Sequence, residues 1–260
     1  MSLIVTVHTS EGIVMASDSR TSYNRMATPM SPISHYGLHF TESTYKTFLC
    51  GEKIGISTCG DASVNGRPIA GYIESFINNI YKNDFSVEKT TGELISYFYN
   101  INPKLQTVFH VSGYTNENNV DKPVVIKAVV DENRYISIDT SSSGATWDGE
   151  SETMSRLIKA IALPMGNINF QNKITLPTGD EINDAFIIEK KNTVLFEQAD
   201  IPWNLLTLQD AVDFAIYAIK TTIDTMRFQL KVKSVGGPID VLIVRPNEAK
   251  FLQRKELLIQ

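Results

Sequence analysis

Two stretches near the start of the chain place apolar, β-branched runs on either side of a short turn. Residues 3–7 and 13–17 contain Ile and Val and flank a Ser-Glu-Gly turn, a pattern that predicts a β-hairpin. Residues 45–50 and 54–59 flank a Gly-Glu-Lys turn in the same way and predict a second hairpin. The small residues that follow from Gly60 are expected to open a helix.

Apolar residues at intervals of three and four predict helices later in the chain. The predicted helices cover residues 69–80, a segment around 94–98 that stops at Asn102-Pro103, residues 153–163, and a long segment that begins near 206. Further strands are expected at 107–111, 123–130, 135–138, 185–188 and 194–197. Two groups of strands, each followed by paired helices, predict an α+β chain arranged as a four-layer αββα sandwich.

Composition and charge narrow the possible classes of protein. The 260 residues are 42% hydrophobic with a formal net charge of −5, which suits one large domain or two small ones and offers no basic surface for nucleic acid. We interpret residues 1–260 as a single domain with insertions near 21–45 and 146–205. No apolar run approaches the ~20 residues that cross a bilayer, and the first ten residues lack the basic start of a signal peptide. Two cysteines indicate reduced thiols, so we expect a cytoplasmic protein without a membrane partner.

Ser2 is the first candidate for chemistry, because removal of Met1 would place it at the N-terminus of a strand. The mature residue would carry a hydroxyl nucleophile and a free α-amine. An α-amine titrates near pH ~7.7–8.0, so it can act as the base for its own hydroxyl. A retained Met1 would acylate that nitrogen and remove the base.

Three further motifs fall in a consistent order. Residues 16–20 read Ala-Ser-Asp-Ser-Arg, Lys46 precedes the second hairpin, and residues 236–241 read Gly-Gly-Pro-Ile-Asp-Val. In this register the chain resembles the β subunits of the 20S proteasome and their bacterial relatives, whose N-terminal threonine falls on Ser2. The resemblance covers most of the chain and is strongest in its first 80 residues.

The resemblance implies an N-terminal-nucleophile hydrolase fold and gives roles to five residues. Ser2 would attack a scissile carbonyl, Lys46 would ease deprotonation of its hydroxyl and amine, and Asp18 would keep the lysine charged and oriented. Unit charges 4 Å apart interact by about 4 kcal/mol at an effective dielectric near 20, which is enough to shift the pKa values of such groups. The backbone N–H of Gly60 would stabilise the oxyanion, and Arg20 would brace the adjoining loop.

Two stretches depart from the pattern of the family. The Gly-Ser-Gly-Ser turn of its catalytic subunits corresponds here to residues 142–145, so Ala145 replaces the last serine and Ser143 is the substitute. The family's Asp-x-x-Ser stretch before Gly-Gly falls on Val232 and Val235, and Ser234 becomes the supporting hydroxyl after a one-residue slip. Half of the expected supporting residues are therefore altered.

The resemblance also implies a substrate pocket lined by Thr58 and Ala62. It implies a homo-oligomeric ring that hydrolyses peptides or unfolded protein, without cofactor or metal, and leaves the ATPase partner of such rings open. Two other functions stay open. One is a non-catalytic subunit that keeps the fold for assembly, and the other is a small-molecule amidohydrolase whose pocket is shaped by the insertion near 21–45.

Each of the proposed site residues also has a structural interpretation. Asp18 and Arg20 would form a surface ion pair worth ~0–1 kcal/mol, Lys46 would protect an edge strand, and Gly60 would serve a turn. The joint order and spacing of the four residues favour the catalytic interpretation.

The histidines predict no metal site. None is framed by an H-x-x-x-H helix or a Cys/His cluster. We therefore interpret His35, His39 and His110 as loop or core residues and His8 as the end of the first strand.

Overall fold

The computed structural model of the protein describes residues 2–25, 33–158, 161–162, 174–175, 181–182, 194–195 and 199–256. The chain divides into two compact units. The first comprises Met1–Glu150 with Pro202–Gln260, and the second comprises Ser151–Ile201.

Strands outnumber helices among the described residues, and the paired strands are antiparallel. In chain order the strands are β1 (Leu3–Thr9), β2 (Gly12–Ser17), β3 (Thr21–Arg25), β4 (His35–Thr41), β5 (Thr47–Cys50), β6 (Ile54–Gly60), β7 (Ser63–Val64), β8 (Arg67–Pro68), β9 (Thr107–Glu117), β10 (Val120–Val129), β11 (Arg134–Ser137), β12 (Gly144–Gly149), β13 (Ile161–Ala162), β14 (Ile174–Thr175), β15 (Glu181–Ile182), β16 (Val194–Leu195), β17 (Asp240–Val244) and β18 (Ala249–Gln253). The helices are α1 (Ile69–Asn79), α2 (Val87–Ile101), α3 (Glu152–Ile158) and α4 (Leu208–Phe228), with a 3₁₀ turn at Trp203–Leu205. The predicted α+β class is confirmed.

The first sheet of the larger unit has the strand order β12-β1-β2-β17-β18. The first predicted hairpin is confirmed as β1 and β2, with Ile4 opposite Ser17 and Thr9 opposite Gly12. Every residue of these two strands is buried, because strands pair with both of their edges and helix α4 packs against them. Neighbours on either side therefore fix the position of β1.

The second sheet has the strand order β11-β10-β9-β6-β5, and its last two strands are the second predicted hairpin. Asn118 and Asn119 connect β9 to β10 with φ of 54° and 64°, the left-handed conformation that two-residue hairpin turns require and asparagine tolerates. Helices α1 and α2 share a core of apolar side chains with this sheet. Strands β5 and β6 also contact strands of the first sheet.

The ends of the helices follow local sequence signals. Helix α4 begins with a capping box in which Thr207 and Asp210 satisfy each other's backbone N–H groups. Helix α2 ends at Ile101, directly before the predicted stop at Asn102-Pro103. Helix α3 begins one residue before the predicted start at 153 and is described to Ile158.

One expectation for the larger unit is wrong, and one strand that bears on the site was not predicted. The chain does not enter a helix from Gly60, because Asn65 and Gly66, with φ of 49° and 75°, form a tight turn that pairs β7 with β8 before α1 begins. Strand β12 is absent from the predicted strands. Of its six residues only Trp147 is large and apolar, so the alternation that marks a half-buried strand is not visible there.

The smaller unit contains α3 and two short ladders, β13 with β16 and β14 with β15. The strand predicted at 194–197 corresponds to β16, whereas the strand predicted at 185–188 lies outside the described residues. In the segment near 21–45, which belongs to the larger unit, β3 pairs with β4. None of the helices that the structure describes has the length and hydrophobicity needed to cross a membrane.

Candidate active site at the start of the first strand

Ser2 directly precedes β1 and is 7% exposed. The backbone N–H of Glu150, directly after β12, donates to the carbonyl oxygen of Ser2 at 2.7 Å. Gly149 lies so close that a Cβ added there would be 1.9 Å from the same oxygen. Backbone contacts with the edge strand therefore fix the start of β1.

The carboxylate of Asp18, directly after β2, accepts four hydrogen bonds. Its Oδ1 accepts from the backbone N–H of Leu3 at 3.1 Å and from Lys46 Nζ at 2.8 Å. Its Oδ2 accepts from the backbone N–H groups of Arg20 at 3.1 Å and Gly236 at 3.0 Å. Asp18 is fully buried, and these four bonds compensate for the loss of water around its charge.

Lys46 is also buried, with 4% of its surface exposed. Its Nζ donates to Asp18 Oδ1 and, at 2.5 Å, to the carbonyl oxygen of Arg20. Burial lowers the pKa of Lys46, and the negative charge of Asp18 opposes that change. Because Asp18 Oδ1 binds both Lys46 Nζ and the backbone N–H of Leu3, the ammonium lies two hydrogen bonds from the residue that follows Ser2.

Gly60 ends β6 with a φ of 109°. A Cβ added there would meet the backbone oxygen of Gln106 at 2.1 Å, so both the backbone conformation and the space require glycine. Gly60 stands opposite Thr107 in the second sheet. The fold therefore requires glycine at position 60 whether or not its N–H donates to an oxyanion.

The two residues expected in the pocket lie on either side of Gly60. The N–H of Thr58 donates to the carbonyl oxygen of Lys46 at 2.8 Å, which places Thr58 beside the lysine. Its hydroxyl is buried without a hydrogen-bond partner among the described residues. The carbonyl oxygen of Ala62 accepts from the N–H of Ile69 at the start of α1.

Arg20 binds protein groups through its guanidinium. It forms an ion pair with Glu42, and its Nη1 donates to the carbonyl oxygen of Lys233 at 3.1 Å. The guanidinium also occupies the space next to Gly236, where an added Cβ would be 2.5 Å from it. These contacts join the loop after β2 to the segment before the Gly-Gly motif.

The structure does not bring Ser143 to this site. In the pairing of β1 with β12, Leu3 stands opposite Gly149, whereas His8 stands opposite Gly144. At ~3.3 Å per residue, Ser143 lies about 17 Å or more from Ser2 along the strand. The placement of the family's Gly-Ser-Gly-Ser turn at residues 142–145 is therefore corrected, since Gly149 and Glu150 are the residues that reach Ser2.

Glu150 is a residue of the site that the sequence does not signal. Its carboxylate accepts from the hydroxyl of Ser234 at 3.3 Å and pairs with Lys231 at 3.2 Å, while its N–H holds Ser2. Ser234 is fully buried, so the predicted supporting hydroxyl reaches the site through Glu150. A backbone hydrogen bond directly beyond the pairing of β12 with β1 connects Glu150 to Ser2, and β12 has no clear strand pattern.

Cys59 is a further neighbour that the sequence does not point to. It is 4% exposed, and its Cβ lies 3.3 Å from the position that a side chain at Gly149 would take. Burial raises the pKa of its thiol to about 12, so the thiol is neutral near pH 7. Cys59 therefore adds no charge beside Lys46.

A buried polar network connects the two sheets close to this point. His110 Nδ1 lies 2.9 Å from Thr6 Oγ1, and His110 Nε2 lies 2.9 Å from Asp148 Oδ2. Asp148 also forms an ion pair with Lys127. Burial raises the pKa of Asp148, but His110 and Lys127 outweigh it and hold the pKa below the ordinary value. The network fixes β12 directly before Gly149.

The arrangement can support acyl transfer from a serine at the start of β1. A hydroxyl residue, a buried ammonium and a carboxylate that orients the ammonium are the elements of an activated nucleophile. No protein-family model and no curated protein sequence matches the chain.

Gly149→Ala is expected to reduce any activity of Ser2 by about 10²-fold, because the added Cβ would displace Ser2 by roughly an ångström. Its φ of 98° adds backbone strain. Gly71→Ala is the matched control, since a Cβ there meets nothing within 4 Å. Steady-state kinetics on both variants measures the effect. Equal activity in the two would contradict the claim that the close approach of Gly149 positions Ser2.

Proposed function

We propose that the protein is an N-terminal-nucleophile hydrolase of the proteasome β-subunit type, which cleaves peptide bonds through an acyl-enzyme on Ser2 after Met1 is removed. The proposal includes the four-layer αββα arrangement. Contacts of α4 with β1 and β2, of α2 with β9 and β10, and of the two sheets with each other support that layer order.

The buried pair of Asp18 and Lys46 carries the proposal. A buried ion pair gains little stability over apolar residues of the same volume, whereas buried ionisable groups with shifted pKa values concentrate at functional sites. This pair is hydrogen-bonded to the first residue of β1, directly after Ser2. The placement supports a role in chemistry more than a role in stability.

In the proposed reaction the α-amine of Ser2 takes the proton of Oγ, and Oγ attacks the carbonyl carbon of the scissile peptide. The Lys46 ammonium favours the deprotonated hydroxyl, and the N–H of Gly60 donates to the oxyanion. Collapse breaks the C–N bond, and the α-ammonium gives its proton to the leaving amine. Water then attacks the ester with the α-amine as base, which releases the carboxylic acid and restores the Ser2 hydroxyl.

The proposed substrate is a peptide or unfolded protein, and the proposed assembly is a homo-oligomeric ring in the cytoplasm. The substrate and the ring follow from the resemblance of residues 16–20, Lys46 and 236–241 to the family, and the cytoplasmic location follows from the reduced thiols expected of the two cysteines. Hydrolysis of an unfolded protein together with a defined oligomer in solution is the expected result.

The test is mass spectrometry of the N-terminal peptide after treatment with a peptide epoxyketone. That reagent closes a ring only on a residue that carries both a hydroxyl and a free α-amine, so an adduct on Ser2 with Met1 absent is expected. The Ser2→Ala variant is the control and should give no adduct. Intact Met1 without an adduct would favour a non-catalytic assembly subunit. A free Ser2 without an adduct would favour a small-molecule amidohydrolase, and either result overturns the proposal.

A further inference from the structure

Lys46 stands directly before β5, the strand at one edge of the second sheet. A catalytic side chain has to be held within about 0.5 Å of its working position by residues that are themselves locked in place. Tyr45, the residue before Lys46, is half-buried and packs against the core that α1 and α2 share with this sheet. Contacts that fix Tyr45 therefore also restrict the backbone of Lys46.

Two consecutive residues after β18, Arg254 and Lys255, contact Tyr45. The hydroxyl of Tyr45 donates to the carbonyl oxygen of Lys255 at 3.3 Å. The Cζ of Arg254 lies 4.7 Å from the centroid of the Tyr45 ring, and the Nζ of Lys255 lies 4.5 Å from it. Cations within about 6 Å of a ring centroid are attracted to the face of the ring. One hydrogen bond and two cations therefore hold Tyr45.

Lys255 is itself fixed by a buried ion pair with Asp240. The backbone N–H of Lys255 donates to Asp240 Oδ1 at 2.8 Å, and Lys255 Nζ donates to Asp240 Oδ2. The Lys255 side chain is 4% exposed and that of Asp240 is fully buried. Gln253 adds a third bond, from its Nε2 to the carbonyl oxygen of Ile239 at 2.7 Å. The end of β18 is therefore attached to the start of β17.

Asp240 belongs to the Gly-Gly-Pro-Ile-Asp-Val motif and takes no part in the reaction proposed at Ser2. At the start of this motif, the N–H of Gly236 donates to Asp18. At its end, Asp240 holds Lys255, which contacts the residue before Lys46. One motif therefore supports both members of the buried pair of Asp18 and Lys46.

The charges of the two buried lysines act on each other. Burial lowers the pKa of Lys255, Asp240 opposes that change, and the charge of Lys46 lowers the pKa further. A buried ion pair gains little stability over apolar residues of the same volume. Two such pairs side by side therefore favour a role in the site over a role in anchoring the end of β18.

We propose that Tyr45, Lys255 and Asp240 are positioning residues that hold the Lys46 ammonium in place for the reaction at Ser2. This inference rests on the proposed function. Lys46 stabilises the transition state more than the bound substrate, so its displacement should lower kcat and leave KM unchanged. A merely structural role would instead reduce the number of folded molecules and leave kcat for each of them unchanged.

The test is the Tyr45→Leu variant of the full chain. A peptide epoxyketone, reacted to completion and followed by mass spectrometry, counts the reactive Ser2 sites, and a fluorogenic peptide amide gives kcat per reactive site and KM. Since a misplacement of about 1 Å can cost about 10²-fold in rate, we expect kcat per site to fall about tenfold or more, with KM within about twofold. Tyr45→Phe keeps the ring and its cation contacts and should retain kcat within about twofold of the parent.

Tyr99→Leu is the matched control, because Tyr99 on α2 is also half-buried against the same core. It should leave kcat per reactive site unchanged. If Tyr45→Leu leaves no reactive sites, the double variant Asp240→Asn with Lys255→Met decides the question, since it removes the pair without leaving an unpaired charge. The double variant should also lower kcat per site about tenfold.

The parent separates failure of this inference from failure of the proposed function. An adduct on Ser2 of the parent, with the same kcat per site in the parent and in the deciding variant, overturns the positioning role alone. An equal loss in Tyr99→Leu overturns it as well, because any change in the core would then have the same effect. Absence of an adduct in the parent overturns the proposed function and this inference with it.

Discussion

Ser2→Ala is expected to reduce hydrolysis of a fluorogenic peptide amide by at least ~10³-fold, because the variant lacks the only hydroxyl that the proposed mechanism uses to attack the carbonyl. Alanine is also small enough to allow removal of Met1, so the N-terminus should be the same as in the parent. Ser2→Thr retains both the hydroxyl and the amine and should stay active. The measurement is kcat/KM, with the N-terminal residue of each preparation verified by mass spectrometry.

The control for this experiment is Ser43→Ala. Ser43 is exposed and bonds only to Thr41 among the described residues, so its removal should leave kcat/KM unchanged. Unchanged turnover in Ser2→Ala would exclude Ser2 as the nucleophile. Loss of activity in both variants would indicate a general effect of the substitutions on the protein.

Asp18→Asn is expected to lower the free energy of unfolding by about 3–5 kcal/mol, since it leaves the buried ammonium of Lys46 without its counter-charge. The amide also cannot replace the carboxylate toward all four donors, because its nitrogen does not accept hydrogen bonds. Activity should fall with stability, because Lys46 loses the group that orients it. Urea unfolding followed by circular dichroism measures the change in free energy.

Two further variants make this result specific. Asp213→Asn, on the exposed side of α4 and bonded to Gln209, should change stability by less than ~0.5 kcal/mol. The double variant Asp18→Asn with Lys46→Met should regain part of the lost stability, because no unpaired charge remains, but should not regain activity. If Asp18→Asn unfolds at the same urea concentration as the parent, the buried ion pair has no role in holding the site together.

The parts of the fold that could be predicted are those with a local signal. The first two hairpins have apolar runs on either side of glycine-containing turns, and α4 has a capping box at Thr207 and Asp210. Strand β12 could not be predicted, because it is specified by pairing with β1 and not by its own residues. A strand of low hydrophobicity can be stabilised by its neighbours, and no single segment of the sequence records that.

The same distinction explains which site residues were found. Asp18 and Lys46 were predicted to act together, and the structure brings them within 2.8 Å. Ser143 was placed wrongly because a turn was assumed where β12 begins, and the register of that strand moves the relevant residues to Gly149 and Glu150. An error of a few residues in the alignment of one strand therefore places a predicted site residue at the wrong end of the sheet.

Asp18 binds groups from opposite ends of the chain, and this has a consequence during synthesis. Its bond to Gly236 joins residues 218 positions apart. The carboxylate therefore has all four of its hydrogen-bond donors only after nearly the whole protein has left the ribosome. If Met1 is removed early, as the proposed mechanism requires, the nascent chain would still lack the hydrogen bond from Gly236 to Asp18. Under the proposed mechanism, a serine at the N-terminus of a growing chain would therefore not yet have its complete site.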